Sequence, residues 1–262
     1  MDLGLTGKRA LVLASSRGLG LGIAEALAAE GVNVLLCGRS EDKLAAGAAA
    51  INVRGQGTAD YTTVDLGDAG SAQVLFAKAV EKLGGVDILV NNTGGPPPGS
   101  ISGVEAGVWR AQFEAMVLRV FEITDLCLPA MKQAGWGRVI SVGSSGVVQP
   151  IPNLGISNAL RSALVGWSKS LSTEVAGDGI TVNMVIPGRI HTERVDELDA
   201  AASKRTGKSL EEVATASRGT IPAARYGKVE EFAAVAAFLA GQGASYVTGS
   251  VIRCDGGSVK SV

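Results

Sequence analysis

The chain has 262 residues, 46% of them hydrophobic, with 36 glycines and a formal net charge of −1. Near-neutrality leaves no electrostatic footprint for nucleic acid or an anionic membrane surface, and no apolar run reaches the ~20 residues of a spanning helix. Residues 1–8 lack the basic and apolar regions of a signal peptide, and Cys37, Cys127 and Cys254 fit no metal or disulfide spacing, so a cytoplasmic protein with buried thiols and no metal is expected.

Strand-like apolar runs lie at 9–14, 33–38, 58–65, 86–91, 137–142, 180–186 and 250–254. Amphipathic helical patterns fall between them, at 20–30, 43–53, 71–83, 108–133, 158–174 and 229–239. No repeat, linker or low-complexity segment divides them. Alternating strand and helix with fully apolar strands predicts an α/β, single-domain Rossmann fold over 1–262, a doubly wound seven-stranded parallel sheet with helices on both faces. Ligands of such sheets bind outside the carboxyl ends of the strands, so the loops that follow strands carry the chemistry.

The first such loop runs Ala14-Ser15-Ser16-Arg17-Gly18-Leu19-Gly20. Its glycines let backbone approach a pyrophosphate, and the helix that follows offers unpaired N–H groups and a positive dipole end. Ser15, Ser16, Arg17, Gly18, Leu19 and Gly20 are therefore expected cofactor contacts; an ordinary tight turn is the alternative. The second strand ends Cys37-Gly38-Arg39. A carboxylate near this point would hold the ribose 2′-hydroxyl of NAD. Here there is none, and Arg39 with Arg17 suits the 2′-phosphate of NADP(H) instead.

Further motifs follow in fixed order: Val64-Asp65-Leu66 after the third strand, Asn91-Asn92-Thr93-Gly94 after the fourth, Ser141-Val142-Gly143-Ser144 after the fifth, and Pro187-Gly188-Arg189-Ile190-His191-Thr192 after the sixth. With Tyr226-Gly227, Thr248-Gly249 and Asp255-Gly256-Gly257, this arrangement resembles the short-chain dehydrogenase/reductase family, most nearly its 3-oxoacyl-carrier-protein reductase branch, almost from end to end. The resemblance implies that Asp65 and Leu66 lie at the adenine, and that Asn92, Gly94, Pro187, Gly188, Ile190 and Thr192 hold cofactor. It also implies a mobile substrate lid at about 190–221, a small-molecule or carrier-bound acyl substrate, and a homodimer or homotetramer formed through the helices at 108–133 and 158–174.

The departures are concentrated in the catalytic tetrad. The family uses Asn, Ser, Tyr and Lys: the tyrosine exchanges a proton with the substrate oxygen, the lysine lowers its pKa from about 10 and holds the nicotinamide ribose, and the serine orients the carbonyl. In this chain Met116 stands at the asparagine site, Ser144 at the serine, Ser157 at the tyrosine and Arg161 at the lysine. No tyrosine lies between Tyr61 and Tyr226 and no lysine between Lys132 and Lys169, so no slip of register restores the set. Ser157 is a weak acid, and Arg161 stays protonated but can still favour an oxyanion. The catalytic candidates are thus Ser144, Ser157 and Arg161. Leu13 and Ala14 also replace the family's Thr and Gly in the first turn.

Three functions follow from this reading. The first is an NADP(H)-dependent oxidoreductase acting on a carbonyl or alcohol with altered proton transfer. The second is an NADP(H)-binding protein without redox activity. The third is a non-redox enzyme of the same pocket, with the lone His191 as base. The polar segment 193–221 carries Lys204, Arg205, Lys208 and Arg218, nearly balanced by Glu193, Glu197, Glu211 and Glu212, and is expected as a solvated helical face.

Overall fold

A computed structural model describes residues 2–261. Seven parallel strands form one sheet in the order β3-β2-β1-β4-β5-β6-β7. In chain order the elements are β1 (Arg9–Val12), α1 (Gly18–Ala29), β2 (Asn33–Gly38), α2 (Glu41–Arg54), β3 (Ala59–Thr63), α3 (Ser71–Leu83), β4 (Ile88–Asn91), α4 (Ala106–Phe113), a π-helical turn (Glu114–Leu118), α5 (Arg119–Ala134), β5 (Gly137–Val142), α6 (Gly155–Val175), β6 (Ile180–Pro187), α7 (Glu193–Thr206), α8 (Leu210–Gly219), α9 (Val229–Ala240) and β7 (Val251–Cys254). The expected fold class is the one observed. The strand order reverses between β1 and β4, which places the ligand crevice above their carboxyl ends.

The sheet is buried on both faces because alternate residues of each strand point to opposite layers. Ala10, Val12, Val34 and Leu36 meet Ile23 and Leu27 of α1 and Phe232 of α9 on one face. Leu11, Leu35 and Leu89 meet Leu75 of α3, Ile123 of α5 and Leu171 of α6 on the other. Each such side chain removed from water contributes roughly 1.5–3 kcal/mol. A third cluster, comprising Met116, Val117, Val120, Ile156, Leu160, Leu164, Met184 and Ile186, packs beneath the crevice. No helix of the described residues is long and apolar enough to cross a membrane.

Two regions depart from the sequence expectations. The helix expected at 108–133 runs from Ala106 to Ala134 and is widened into the π-helical turn Glu114–Leu118. No glycine or proline marks the break, so periodicity alone does not reveal it. The segment 193–221 is two helices, α7 and α8, the second closed by a capping box between Ser209 and Glu212. At the strands the differences are at most two residues at an end, as for β3, where pairing stops at Thr63.

Candidate active site

The βα turn after β1 is built around a backbone conformation that its residue type disfavours. Ala14 has φ 45°, the left-handed region, where an alanine costs about 1 kcal/mol. Ser15 is fully buried behind the turn. Its Oγ donates to Val12 O at 2.7 Å and accepts from Cys37 N at 2.9 Å, tying the turn to β2. Burial pushes the Cys37 thiol up to about 12. Gly20 packs the start of α1 against the turn: a Cβ there would lie 2.6 Å from Ala14 O and 2.7 Å from Asn92 Nδ2. Asn92 itself donates to Ala14 O at 3.1 Å. Ser15 and Gly20, expected to touch cofactor, therefore shape the turn from behind and do not line the cleft.

The other expected cofactor residues line one cleft of about 1480 Å³. Ser16, Arg17, Gly18, Leu19, Arg39, Asp65, Leu66, Asn92, Gly94, Pro187, Gly188, Ile190 and Thr192 all form its wall. At one end, α1 begins without a side-chain cap and without an acidic residue in its first turn, so its leading N–H groups and dipole are available to an anion. Arg17 and Arg39 flank that end, and Arg39 Nη1 lies 3.8 Å from Asp65 Oδ2. A Cβ at Gly94 would meet nothing within 4 Å, so the backbone there borders open space. A helix N-terminus, two arginines and no carboxylate at the end of β2 together fit a dinucleotide bearing a 2′-phosphate.

At the other end the cleft is walled by Ser144, Ser157 and Arg161. Ser144 Oγ accepts from Gly146 N at 3.1 Å, which sets the loop after β5. Ser157 and Arg161 are buried in the first turns of α6. Arg161 donates to Val142 O at 2.8 Å and to Thr93 O at 3.3 Å. Burial, with a smaller contribution from the nearby charge of Arg194, lowers the Arg161 guanidinium to about 10, so it remains a cation at neutral pH. Asn158 bonds both N and O of Ile151 and serves the loop.

Among the described residues the cleft wall includes no tyrosine and no histidine. Tyr226 Oη donates to Asp199 Oδ2 at 2.8 Å, Tyr246 is exposed, and no tyrosine lines the cleft among the described residues. His191 lies outside the cleft wall, with its side chain 69% exposed and Nε2 3.5 Å from Asp196 Oδ1. Met116 belongs to the core cluster with Ile156 and Leu160 and, where it reaches the cleft wall, supplies no polar group.

Sequence reasoning passed over three participants. Lys43 at the start of α2 reaches Glu193 of α7 at 3.3 Å, and Arg17 bonds both Glu193 and Glu197. These exposed pairs hold α7 across the outer cleft. Arg194 donates to Pro96 O at 2.9 Å, joining α7 to the proline loop after β4. The hydroxyl of Thr93 is buried without a partner. Lys43 and Arg194 belong to no linear motif, and only the path of α7 over the sheet joins them to the site, whereas Thr93 stands inside the motif at 91–94, where its residue type gives no sign of an unpartnered hydroxyl.

A family model described as Enoyl-(Acyl carrier protein) reductase matches residues 13–259. The chain is 34% identical over 260 residues to D-beta-hydroxybutyrate dehydrogenase of Cupriavidus necator, covering 97% of this chain and 99% of that relative. It is 35% identical over 253 residues to the 3-oxoacyl-[acyl-carrier-protein] reductase of Escherichia coli, covering 96% and 97%. Among solved structures, L-sorbose reductase from Gluconobacter frateurii, complexed with NADPH and L-sorbose, superposes with a TM-score of 0.94 at 31% identity, with 100% of both chains covered.

Proposed function

Because the chain belongs to the short-chain dehydrogenase/reductase family, we propose that it is an NADP(H)-dependent oxidoreductase of a carbonyl or alcohol whose proton transfer does not run through a tyrosine. One observation carries the reading: a single cleft joins an anion-binding end (Arg17, Arg39 and the start of α1) to a hydrogen-bonding end (Ser144, Ser157 and Arg161). The NADPH bound by L-sorbose reductase supports the cofactor assignment.

NADP(H) supplies or accepts hydride when bound. The chain's own part is to hold, orient and polarise. Arg17, Arg39 and the leading N–H groups of α1 bind phosphate charge. Asp65, Leu66, Asn92, Gly94, Pro187, Gly188, Ile190 and Thr192 border the remaining length of the cofactor. Ser144 and Ser157 donate hydrogen bonds to the substrate oxygen, and the fixed cation of Arg161 favours negative charge developing on it. Neither serine is acidic enough to deliver a proton efficiently at neutral pH, so water completes the transfer, at a cost of roughly 10²–10⁴ in rate relative to a positioned acid. The helices α7 and α8 serve as the substrate lid, and the relatives support a carrier-bound or small acyl substrate.

Fluorescence titration with NADPH, followed by its oxidation with a panel of 3-oxoacyl thioesters, ketones and quinones, tests this. Saturable binding with turnover of at least one carbonyl is expected. Tight binding without any turnover would instead favour a cofactor-binding protein without redox activity. No binding would remove both readings.

A further inference from the structure

Arg161 is 7% exposed in the wall of the cleft, and no ion pair among the described residues includes it. A guanidinium carries five N–H donors. Two are spent on the carbonyls of Val142 and Thr93, which leaves three. A buried cation held only by backbone dipoles is costly, and an anion of matching shape is what relieves it. Arg194 stands close enough that the two cations disfavour each other. Among the described residues it is committed only to Pro96 O and, at the surface, to Glu197 at 3.2 Å. The buried Thr93 hydroxyl beside Arg161 is also without a partner. Serine at 157 leaves room that a phenol ring would otherwise fill, and it lies on the same wall as Ser144.

We propose that this inner end of the cleft is a carboxylate pocket. The substrate is a small oxo acid or hydroxy acid whose carboxylate is received by Arg161 and enclosed by Arg194, with the adjoining carbonyl or hydroxyl oxygen facing Ser144 and Ser157. A planar carboxylate matches the fork of an arginine in two parallel hydrogen bonds. A neutral ester or thioester leaves the buried charge uncompensated. A phosphate dianion carries more charge than one buried cation compensates in a wall where Met116 supplies no polar group. The reacting group in this proposal rests on the oxidoreductase reading; the anion pocket does not.

Calorimetric titration of the full chain, with and without saturating NADP+, uses oxalate as probe, with oxamide as its neutral counterpart and inorganic phosphate as the competing anion. Oxalate is expected to bind at least about ten-fold more tightly than either, a difference of about 1.4 kcal/mol. Arg161→Gln abolishes that preference, Arg161→Lys restores part of it, and Arg194→Gln weakens oxalate several-fold while leaving oxamide unchanged. Equal binding of oxalate and oxamide, a preference for phosphate, or an oxalate affinity that survives Arg161→Gln in a normally folded variant overturns the proposal. If Arg161→Gln does not fold, the probe comparison on the unaltered chain together with Arg194→Gln decides. NADPH titration of the same preparation separates the two ideas: oxalate preference without NADPH binding upholds the pocket and removes the oxidoreductase reading, and NADPH binding without oxalate preference does the reverse. In turnover, pyruvate should exceed methyl pyruvate by about ten-fold; an equal or faster ester overturns the proposal.

Discussion

Position 157 sets the chemistry of this site at the smallest scale. In the proposed reading, a serine there with Arg161 one turn later exchanges a titratable acid and its tuning cation for a weak donor and a cation that persists at neutral pH. Restoring Ser157→Tyr with Arg161→Lys is expected to raise reduction of a neutral ketone by ~10²-fold or more, read as NADPH oxidation in the steady state. A double variant that binds NADPH and gains nothing would show that the tetrad is not the limiting defect. The charge of Arg161 also fixes a pH dependence. Burial holds its pKa at about 10, below the ordinary arginine value. Binding that depends on the cation is therefore constant through neutrality and lost as pH rises past that value. Oxalate titrations between pH about 6 and 11 check this; a loss centred near pH about 7 would point to another group. Ala14 is the other departure with a structural consequence. At φ 45° it carries strain that glycine does not, so Ala14→Gly should raise stability by up to ~1 kcal/mol, less the entropy glycine adds to the unfolded chain, measurable as a small rise in Tm.

Among the elements, α7 has the largest role that its sequence conceals. It reads as a balanced polar helix, yet in the fold its Glu193 pairs with Arg17 and Lys43, and its Glu197 pairs with Arg17 and Arg194. The Arg17 contact holds the Glu193 carboxyl below its usual range. Those α7 carboxylates occupy cations otherwise available to a 2′-phosphate. Glu193→Gln should therefore tighten NADPH a few-fold, since each exposed pair is worth ~0–1 kcal/mol. The effect should shrink in about 0.5 M salt, and fluorescence titration at two ionic strengths reads both. Unchanged affinity in low salt would mean that the α7 carboxylates do not compete. The turn between β1 and α1 was legible as a motif, but the division of labour within it was not. Ser15 and Gly20 stand at motif positions and face inward because β2 and Asn92 pack directly against them. The π-helical turn at Glu114–Leu118 likewise leaves no mark in composition, because the widening concerns hydrogen-bond register and not residue type.

For the whole molecule, the outer edge of the sheet is the feature that asks for a partner. β7 is an edge strand with alternating exposure, and Phe238, Tyr246 and Val251 near it are exposed. Val108 and Phe113 of α4 form a second exposed apolar pair. Open edges and apolar faces of this kind are normally covered, so the chain is expected to run as a dimer or tetramer in light-scattering chromatography. Tyr246→Arg should shift that mass downward; a monomer for the unaltered chain would remove the expectation. The order of apolar runs and glycine turns in the sequence determined the parallel sheet, its crevice and the family, because burial on both faces and tight βα turns impose patterns that any reader of the chain can count. The absence of a tyrosine and a lysine from the site was equally plain, because it follows from composition between two positions. Only the tertiary structure decided where the charges act. It turned His191 outward, tied Lys43 to Glu193 of α7, drew Arg194 to the cleft, and left Arg161 buried with backbone carbonyls as its only partners among the described residues. Pairings at this site join residues up to 180 positions apart, and no local spacing encodes them.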